Sequence, residues 1–494
     1  MGFTCNRIAL VALAVVWAAV VVPPQEAAAA PVISLESNCR ERNVTDRLEF
    51  LVDTSDALTI EDMARPEIAA GFAACEAPFL NLGVISQILW LRFTLVNEAA
   101  TDKEWVVELQ NPRILNAEFF TPMAGGGYHV ECCGIAHSFF DRPYLHPSPA
   151  FRVRLSAGET RTCHVRIEHT GAVILRVVCW SAAAFRTHSE RWSALVILYA
   201  GILVALALNN LVTFLGLYER AYLYCTLMIL AFCLYEMAFN GSAQKFLWPN
   251  QPWWADHSIT VLYATALAMA ILFAQSFVRS AQHAPWLHRV ANVLIGACIV
   301  LLILGFTDFR VKYMLGTLLG LAAPAVVVLL SWRCWRAGYG PARLFALAWA
   351  MVLVGTTTLI LTGLGLLPPT MPTENSLALC FLAGLTLWSL GLALRVKNNE
   401  EANRRILETK VEERTAELRK AMTEMRTLSG LLPICAHCKK IRDDRGYWAN
   451  VETYISEHSD AGFSHSICPE CARKYFPGIM AEIDAEASRS PEIG

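Results

Sequence analysis

The chain has 494 residues, of which 55% are hydrophobic and 17% charged, and its net charge is −2 at neutral pH. Soluble domains carry about 25% charged residues, so the deficit argues against a wholly soluble fold and for membrane content. A charge this close to balance leaves no footprint for a nucleic-acid partner.

Residues 1–30 have the layout of a secretory signal peptide. Arg7 precedes the 15-residue apolar stretch 8–22, and the small residues of QEAAAAP follow, which places cleavage near Ala29. An uncleaved signal anchor is the alternative. Either one sends residue 31 onward across a membrane.

Residues 31–190 read as β-rich. WLRFTLVN (90–97) and EWVVELQ (104–110) alternate in part, and 150–169 reads as two alternating strands around a turn at Ala157-Gly158-Glu159. Phe151, Val153 and Leu155 share one face of the first, and Cys163, Val165 and Ile167 continue it in the second. AVILRVVCW (172–180) reads as one further strand. This spacing predicts an antiparallel sandwich. Trp90 and Trp180 are candidates for stacking on a sugar, with burial in the core as the competing reading. Cys39, Cys75, Cys132, Cys133, Cys163 and Cys179 lie in this region. They would form disulfides in an oxidising compartment, with the pairing left open by their spacing.

Seven apolar runs follow, near 193–217, 221–241, 257–278, 288–306, 313–332, 342–367 and 375–395. Each is about the 20 residues a membrane-crossing helix needs. With residue 193 outside, the inner loops carry Arg220, Arg279, Arg289, Arg333, Arg336 and Arg343. The outer loops carry only Lys245, Arg310 and Lys312. This bias agrees with the leader and predicts the N-terminal domain outside and the C-terminus in the cytoplasm. Trp248, Trp253 and Trp254 read as an outer aromatic belt. Asn209, Asn210 and Glu236 are polar groups within the spans and so functional candidates. Hydrogen bonding between helices, or interfacial water for Glu236, are the plain alternatives. The seventh span has no lysine between Asn375 and Arg395, which excludes a retinal Schiff base.

Residues 396–432 predict a cytoplasmic helix or coiled coil. Arg404, Val411, Leu418 and Met425 recur every seven residues, and Leu407, Arg414, Ala421 and Leu428 form the other seam. A parallel homodimer is the expected use. Over 433–476 two Cys-x2-Cys knuckles, Cys435/Cys438 and Cys468/Cys471, predict a structural zinc ion with four thiolates. So short a segment buries little core, so metal would supply much of its folding energy. Two pairs outside a βαβ setting fit a redox dithiol less well. Positive and negative side chains are equal in number over 435–476, again without a nucleic-acid footprint. Residues 477–494 form a tail. Walker-type, diguanylate-cyclase-like and kinase signatures are absent, and the expectation is a non-enzyme.

The stretch 199–250 resembles the bacterial seven-transmembrane receptors with diverse intracellular signalling modules (7TMR-DISM). Its signposts are Arg220-Ala-Tyr-Leu-Tyr224, Asn240-Gly241 and Leu247-Trp248-Pro249. Asn209-Asn210 stands where Tyr-Asn is common in that family, and Cys225 where tyrosine is common. The exported region is similar to the family's second type of extracellular domain, a jelly-roll-like sandwich. The segment LLPICAHCKKIRDDRGYW…FSHSICPEC resembles a small cysteine-rich module of bacterial sensor proteins. The resemblance implies an inner-membrane sensor that takes a carbohydrate or other small molecule outside. It would relay the signal through seven helices and dock a cytoplasmic signalling protein through the zinc module. A transporter, or a thiol-redox protein using the CxxC pairs, are the other classes that remain.

Overall fold

A computed structural model describes residues 32–123, 125–169, 171–307, 309–426, 432–443, 445–459 and 461–487. The leader and its cleavage point, Leu428, and the end of the tail lie outside the described residues. The side chains of Arg310 and Met425 do too. The chain divides into two units, 1–395 and 396–494.

The strands of the first unit run β1 (Val32–Leu35), β2 (Glu41–Asn43), β3 (Glu49–Asp53), β4 (Ala73–Ala74), β5 (Leu80–Val84), β6 (Ile88–Asn97), β7 (Lys103–Leu109), β8 (Ile114–Pro122), β9 (Tyr128–Cys133), β10 (Ala150–Leu155), β11 (Thr160–His169), β12 (Ala172–Leu175) and β13 (Val177–Ser181). One sheet has the order β4-β3-β6-β11-β8-β9, with β1 parallel to β6, and the other has β10-β7-β13-β2. Period-two alternation drives the packing. Leu91, Phe93 and Leu95 of β6 and Trp105, Val107 and Leu109 of β7 point into one core with Phe151, Val153, Cys163 and Val165. The two strands of 150–169 therefore lie in opposite sheets with both buried faces turned inward, and Gly158 supplies the left-handed turn residue, at φ 70°.

The strand expected over 172–180 is two strands. The chain breaks at Arg176, so β12 pairs with β5 in a separate ribbon while β13 enters the four-stranded sheet. Gln110 N–H donates to the Arg176 carbonyl at 2.8 Å, and the Arg176 guanidinium reaches the Pro369 carbonyl in the bundle. That long-range contact, invisible to alternation, bends the run. The six exported cysteines are not paired with one another.

The buried Asp53 ends β3. Its carboxylate accepts from Ser55 N–H at 2.9 Å, Ser55 Oγ at 2.6 Å, Asp56 N–H at 3.1 Å and Leu58 N–H at 2.9 Å. Burial alone would raise its pKa, but these bonds outweigh it and hold the carboxyl below the usual range.

Seven helices among the described residues are long and apolar enough to cross a membrane. They lie in α1 (Ala182–Leu217), α2 (Arg220–Phe239), α3 (Pro252–Val278), α4 (Pro285–Leu304), α5 (Phe309–Arg336), α6 (Ala342–Gly363) and α7 (Ser376–Arg426). Helix α1 starts eleven residues before the first apolar run, within the range read as sandwich. Leu198, Val212, Val293, Ile303 and Val354 are exposed on the bundle, which suits a lipid surface. Trp253 is exposed at the outer end of α3, as an interface belt requires. Trp286, Trp332 and Trp335 are exposed toward the other end. Inside, aromatic rings pack between helices: Phe232–Phe381 at 3.7 Å, Phe277–Phe345 at 4.3 Å and Trp349–Trp388 at 5.0 Å between centroids.

In the second unit, Leu407, Val411 and Leu418 are exposed along the helix, as an open seam would be. Strands β14 (Ile441–Arg442) and β15 (Trp448–Ala449) form a small hairpin before α8 (Val451–His458), α9 (Pro469–Tyr475) and α10 (Pro477–Ala487).

Asp53→Ala should lower the stability of the sandwich by about 2 kcal/mol, the scale of hydrogen bonds to a charged group. Because its folded pKa is depressed, the contribution is complete above about pH 4 and is lost as pH falls through the folded value. Thermal melts of wild type and variant across pH 2–7 should converge at the acid end. Parallel curves would contradict this.

Candidate functional site

The residues with the most built geometry lie where the sandwich meets the outer ends of the spans. Arg142, from the loop after β9, is buried there. Its Nη1 donates to the carbonyls of His146 at 3.0 Å and Pro147 at 2.8 Å. Its Nη2 donates to the Gly134 carbonyl at 3.0 Å and to Gln244 Oε1. Gln244, in the short helix Ser242–Phe246, donates back to the carbonyls of Ile135 at 3.2 Å and His137 at 2.9 Å. Phe139 N–H donates to Pro249 O at 2.9 Å, and Ser138 Oγ to Asn250 Oδ1 at 2.9 Å. Gly241 makes the approach possible. Its φ is +75°, and a Cβ on it would lie 3.0 Å from the Cβ atoms of both Pro112 and Pro147. On the far side, Asn81 Nδ2 donates to the Thr362 carbonyl at 3.2 Å.

Under this seam is a cavity of about 210 Å³. The sandwich contributes Arg113 and Ile174, and the bundle contributes Tyr235, Tyr263, Lys312 and Tyr313. The Arg113 guanidinium lies 4.5 Å from the Phe239 ring centre, a cation–π distance. Burial pulls its pKa below the usual arginine range. Neither Arg113 nor Lys312 forms an ion pair among the described residues. The cavity thus holds two cations, the Asp256 carboxylate and several tyrosines, with a wall from each of two domains. Such a boundary is a common place for a ligand.

The residues singled out in the sequence fall elsewhere. Trp90 is fully buried among Ile60, Met63, Phe72, Ile88 and Phe120, and its ring stacks on Phe120 at 5.6 Å. Trp180 is buried on the other sheet, donating Nε1–H to Glu108 at 2.9 Å. Neither offers a face to a sugar, because neighbouring side chains already cover both. The stacking role is withdrawn. Asn210 is buried and donates to the Leu206 carbonyl one turn back at 2.9 Å, whereas Asn209 is on the exposed side of α1. Glu236 is half-buried on α2 and lines no part of the cavity.

In the tail, Cys435 and Cys438 flank a tight turn. Cys435 N–H donates to Lys440 O at 2.8 Å and Lys439 N–H donates to Cys435 O at 2.9 Å, with Lys439 at φ 66°. Cys468 is the N-cap of α9, one turn before Cys471. The four sulfurs are not gathered into one cluster. Only Glu108, His146 and His188 among the described residues bring three possible ligand atoms within 4.8 Å of one another.

That group, like Arg113 and Arg142, went unnoticed in the sequence. Its members are tens of residues apart and match no motif. Alternation in EWVVELQ would send Glu108 to solvent, but the first turns of α1 cover that face through Phe185. Burial then pushes the Glu108 carboxyl up to about 7 and pulls the His146 imidazole down to about 4.

Two family models match the chain. One, described as 7TM diverse intracellular signalling, matches residues 192–395. The other, described as 7TMR-DISM extracellular 2, matches residues 45–181. No curated protein matches it.

Arg142→Met keeps the bulk and removes the donors, leaving four acceptors short of a partner. It should destabilise the joint by about 3 kcal/mol or more. The expected readout is faster hydrogen exchange at 134–147 and 240–250 and a lower melting temperature. Unchanged exchange would show that the joint is held by other contacts.

Proposed function

The chain belongs to the seven-transmembrane receptors with diverse intracellular signalling modules, and we propose that it senses a small anionic molecule in the junction cavity. It is a multi-pass membrane receptor with an extracellular N-terminal domain. The observation that carries the ligand reading is the pair of cations, Arg113 and Lys312, set among tyrosines on opposite walls of one cavity. Two cations against one lining carboxylate, Asp256, leave a positive charge for a carboxylate, a phosphate or an acidic sugar to balance, and the tyrosines suit a hydroxylated body. Its size suits a metabolite smaller than the drug-sized ligands of ~300–1,000 Å³ sites.

The membrane is proposed to be a bacterial inner membrane, with the leader exporting the sandwich and the C-terminus in the cytoplasm. A ligand touching both walls favours the arrangement in which they are closest, and only such differential affinity can shift a conformational equilibrium. Helix α7 carries the change inward, in a homodimer paired along Leu407, Val411 and Leu418. Zinc held by Cys435, Cys438, Cys468 and Cys471 would staple a module that docks a cytoplasmic signalling protein. That output involves no chemistry of its own.

The ligand reading is tested on purified full-length protein with a panel of small carboxylates, phosphates and acidic sugars. At least one should raise the melting temperature of wild type, and Arg113→Met should abolish the shift. A panel without effect, or a shift indifferent to Arg113→Met, would remove the anionic-ligand proposal. For the tail, cobalt(II) should give sulfur charge-transfer absorption that Cys438→Ser weakens, and Leu418→Cys chains should cross-link. Absorption of unchanged intensity in Cys438→Ser would refute the four-thiolate site.

A further inference from the structure

The outer face of the four-stranded sheet carries a second polar group, apart from the cavity. Glu108 stands on β7 between Ala150 of β10 and Val178 of β13. His146 comes from the loop before β10, and His188 from the second turn of α1. One site thus draws on the sheet, a loop and the helix that enters the membrane. His146 Nδ1 lies 3.6 Å from Glu108 Oε1, and His188 Nε2 lies 3.9 Å from Glu108 Oε2. Donor atoms bound at ~2.0–2.1 Å in a tetrahedral shell are roughly 3.3 Å apart, so each histidine is close to that spacing from a Glu108 oxygen, and one donor atom from each of the three residues lies within 4.8 Å of the others.

Two details make this more than a hydrogen-bonded core cluster. First, His146 is 3% exposed, and its Nε2 has no hydrogen-bond partner among the described residues. Its Nδ1, the nitrogen nearest Glu108, also lies 3.3 Å from the Ser148 carbonyl, so holding an ion at Nδ1 puts the ring proton on Nε2, where no other partner competes for it. Second, the carboxylate is already oriented from behind. Trp180 Nε1 donates to Oε2 at 2.9 Å and Gln110 Nε2 at 3.2 Å. The Trp180 ring also stacks on His188 at 4.5 Å between centroids. Metal ligands commonly have such outer partners to fix ring and carboxylate. The His188 side chain is 33% exposed and gives an ion a way in.

We propose that Glu108, His146 and His188 form a binding site for a divalent transition-metal ion of the zinc class, clamping the exported sandwich to the first membrane helix. Two imidazoles and one carboxylate are a zinc-type donor set and leave a fourth position for water or an anion. A hard ion such as calcium would want six or more oxygen ligands, which this site lacks. The ion bridges β7 and α1, so its arrival stiffens the connection between sandwich and bundle at a place separate from Arg113.

The test uses the full chain in detergent, carrying Cys438→Ser and Cys471→Ser so that tail thiolates do not contribute, and stripped with a chelator. Zinc titration against a chromophoric competitor should give one ion per chain. Glu108→Gln and His188→Ala should each weaken it at least tenfold, and His129→Ala, on β9, should leave it unchanged. Cobalt(II) should give ligand-field bands without sulfur charge transfer. His188→Gln guards against misfolding: it should match the parent in melting temperature without metal while losing the rise that zinc gives the parent. No zinc bound by the parent, or equal binding by parent, Glu108→Gln and His188→Gln, would overturn the proposal.

Discussion

A buried guanidinium has to find a carbonyl or carboxylate for its N–H groups, or the surrounding fold becomes unstable. Arg142 meets that demand by using acceptors from two sides of a domain boundary. Once Gly134, His146, Pro147 and Gln244 are tied to one planar fork, the loop after β9 and the segment between α2 and α3 cannot move independently. Gly241 is then obliged to lack a side chain, because two prolines occupy the space. The Asn240-Gly241 and Leu247-Trp248-Pro249 signposts, which look like turn signals in the sequence, are the floor on which the sandwich is seated.

The same constraint governs how a ligand in the cavity can act. The seam at Arg142 and Gln244 is polar, directional and satisfied, so it resists gradual deformation. At the far end of the bundle, Arg395 closes α7 in a similar way. It reaches Glu219 at 3.2 Å and the Ser276 and Phe277 carbonyls at 3.4 Å, lying over the Phe277 ring. Between these two nodes aromatic and aliphatic packing dominates, from Phe232 and Phe381 to Trp349 and Trp388, with a few hydroxyl-to-carbonyl bonds such as Ser376 Oγ to Gly355 O at 2.9 Å. Apolar packing of this kind tolerates small rotations of a helix better than a buried ion pair does. A bundle pinned at both ends and smooth in the middle is suited to two alternative packings rather than a continuum.

Much of the architecture was legible because it depends on period and length. Each of the seven apolar runs maps onto one helix, although α1 starts eleven residues early and α7 continues to Arg426, and alternation located β6, β7, β10 and β11. Alternation says which face a side chain takes but not what will cover that face. Glu108 and Trp180 lie on a face that strand logic assigns to solvent, and the start of α1 closes over it. The same ignorance of tertiary partners made Trp90 look like a sugar platform, when the segment around Ile60 and Phe72 folds over it. Arg176 broke an apparently continuous strand because its partner, Pro369, lies 193 residues away. Spacing marked the cysteine pairs as candidate ligand halves, but spacing within each pair says nothing about the distance between pairs.

The two outer sites differ in what they demand of the protein, and that difference decides their roles. The cavity sets Arg113 on the sandwich wall and Lys312 with Asp256 on the bundle wall, so occupancy changes the energy of their relative placement. The Glu108 group presents one carboxylate and two imidazoles on elements already packed together. An ion there gains little from a change of arrangement, since its three donors already lie within 4.8 Å of one another. It therefore stabilises whichever state has α1 seated on the sheet and raises the cost of leaving it. If the cavity selects between two arrangements, the metal sets how far apart in energy they start, and the two terms act on the same equilibrium without sharing a residue.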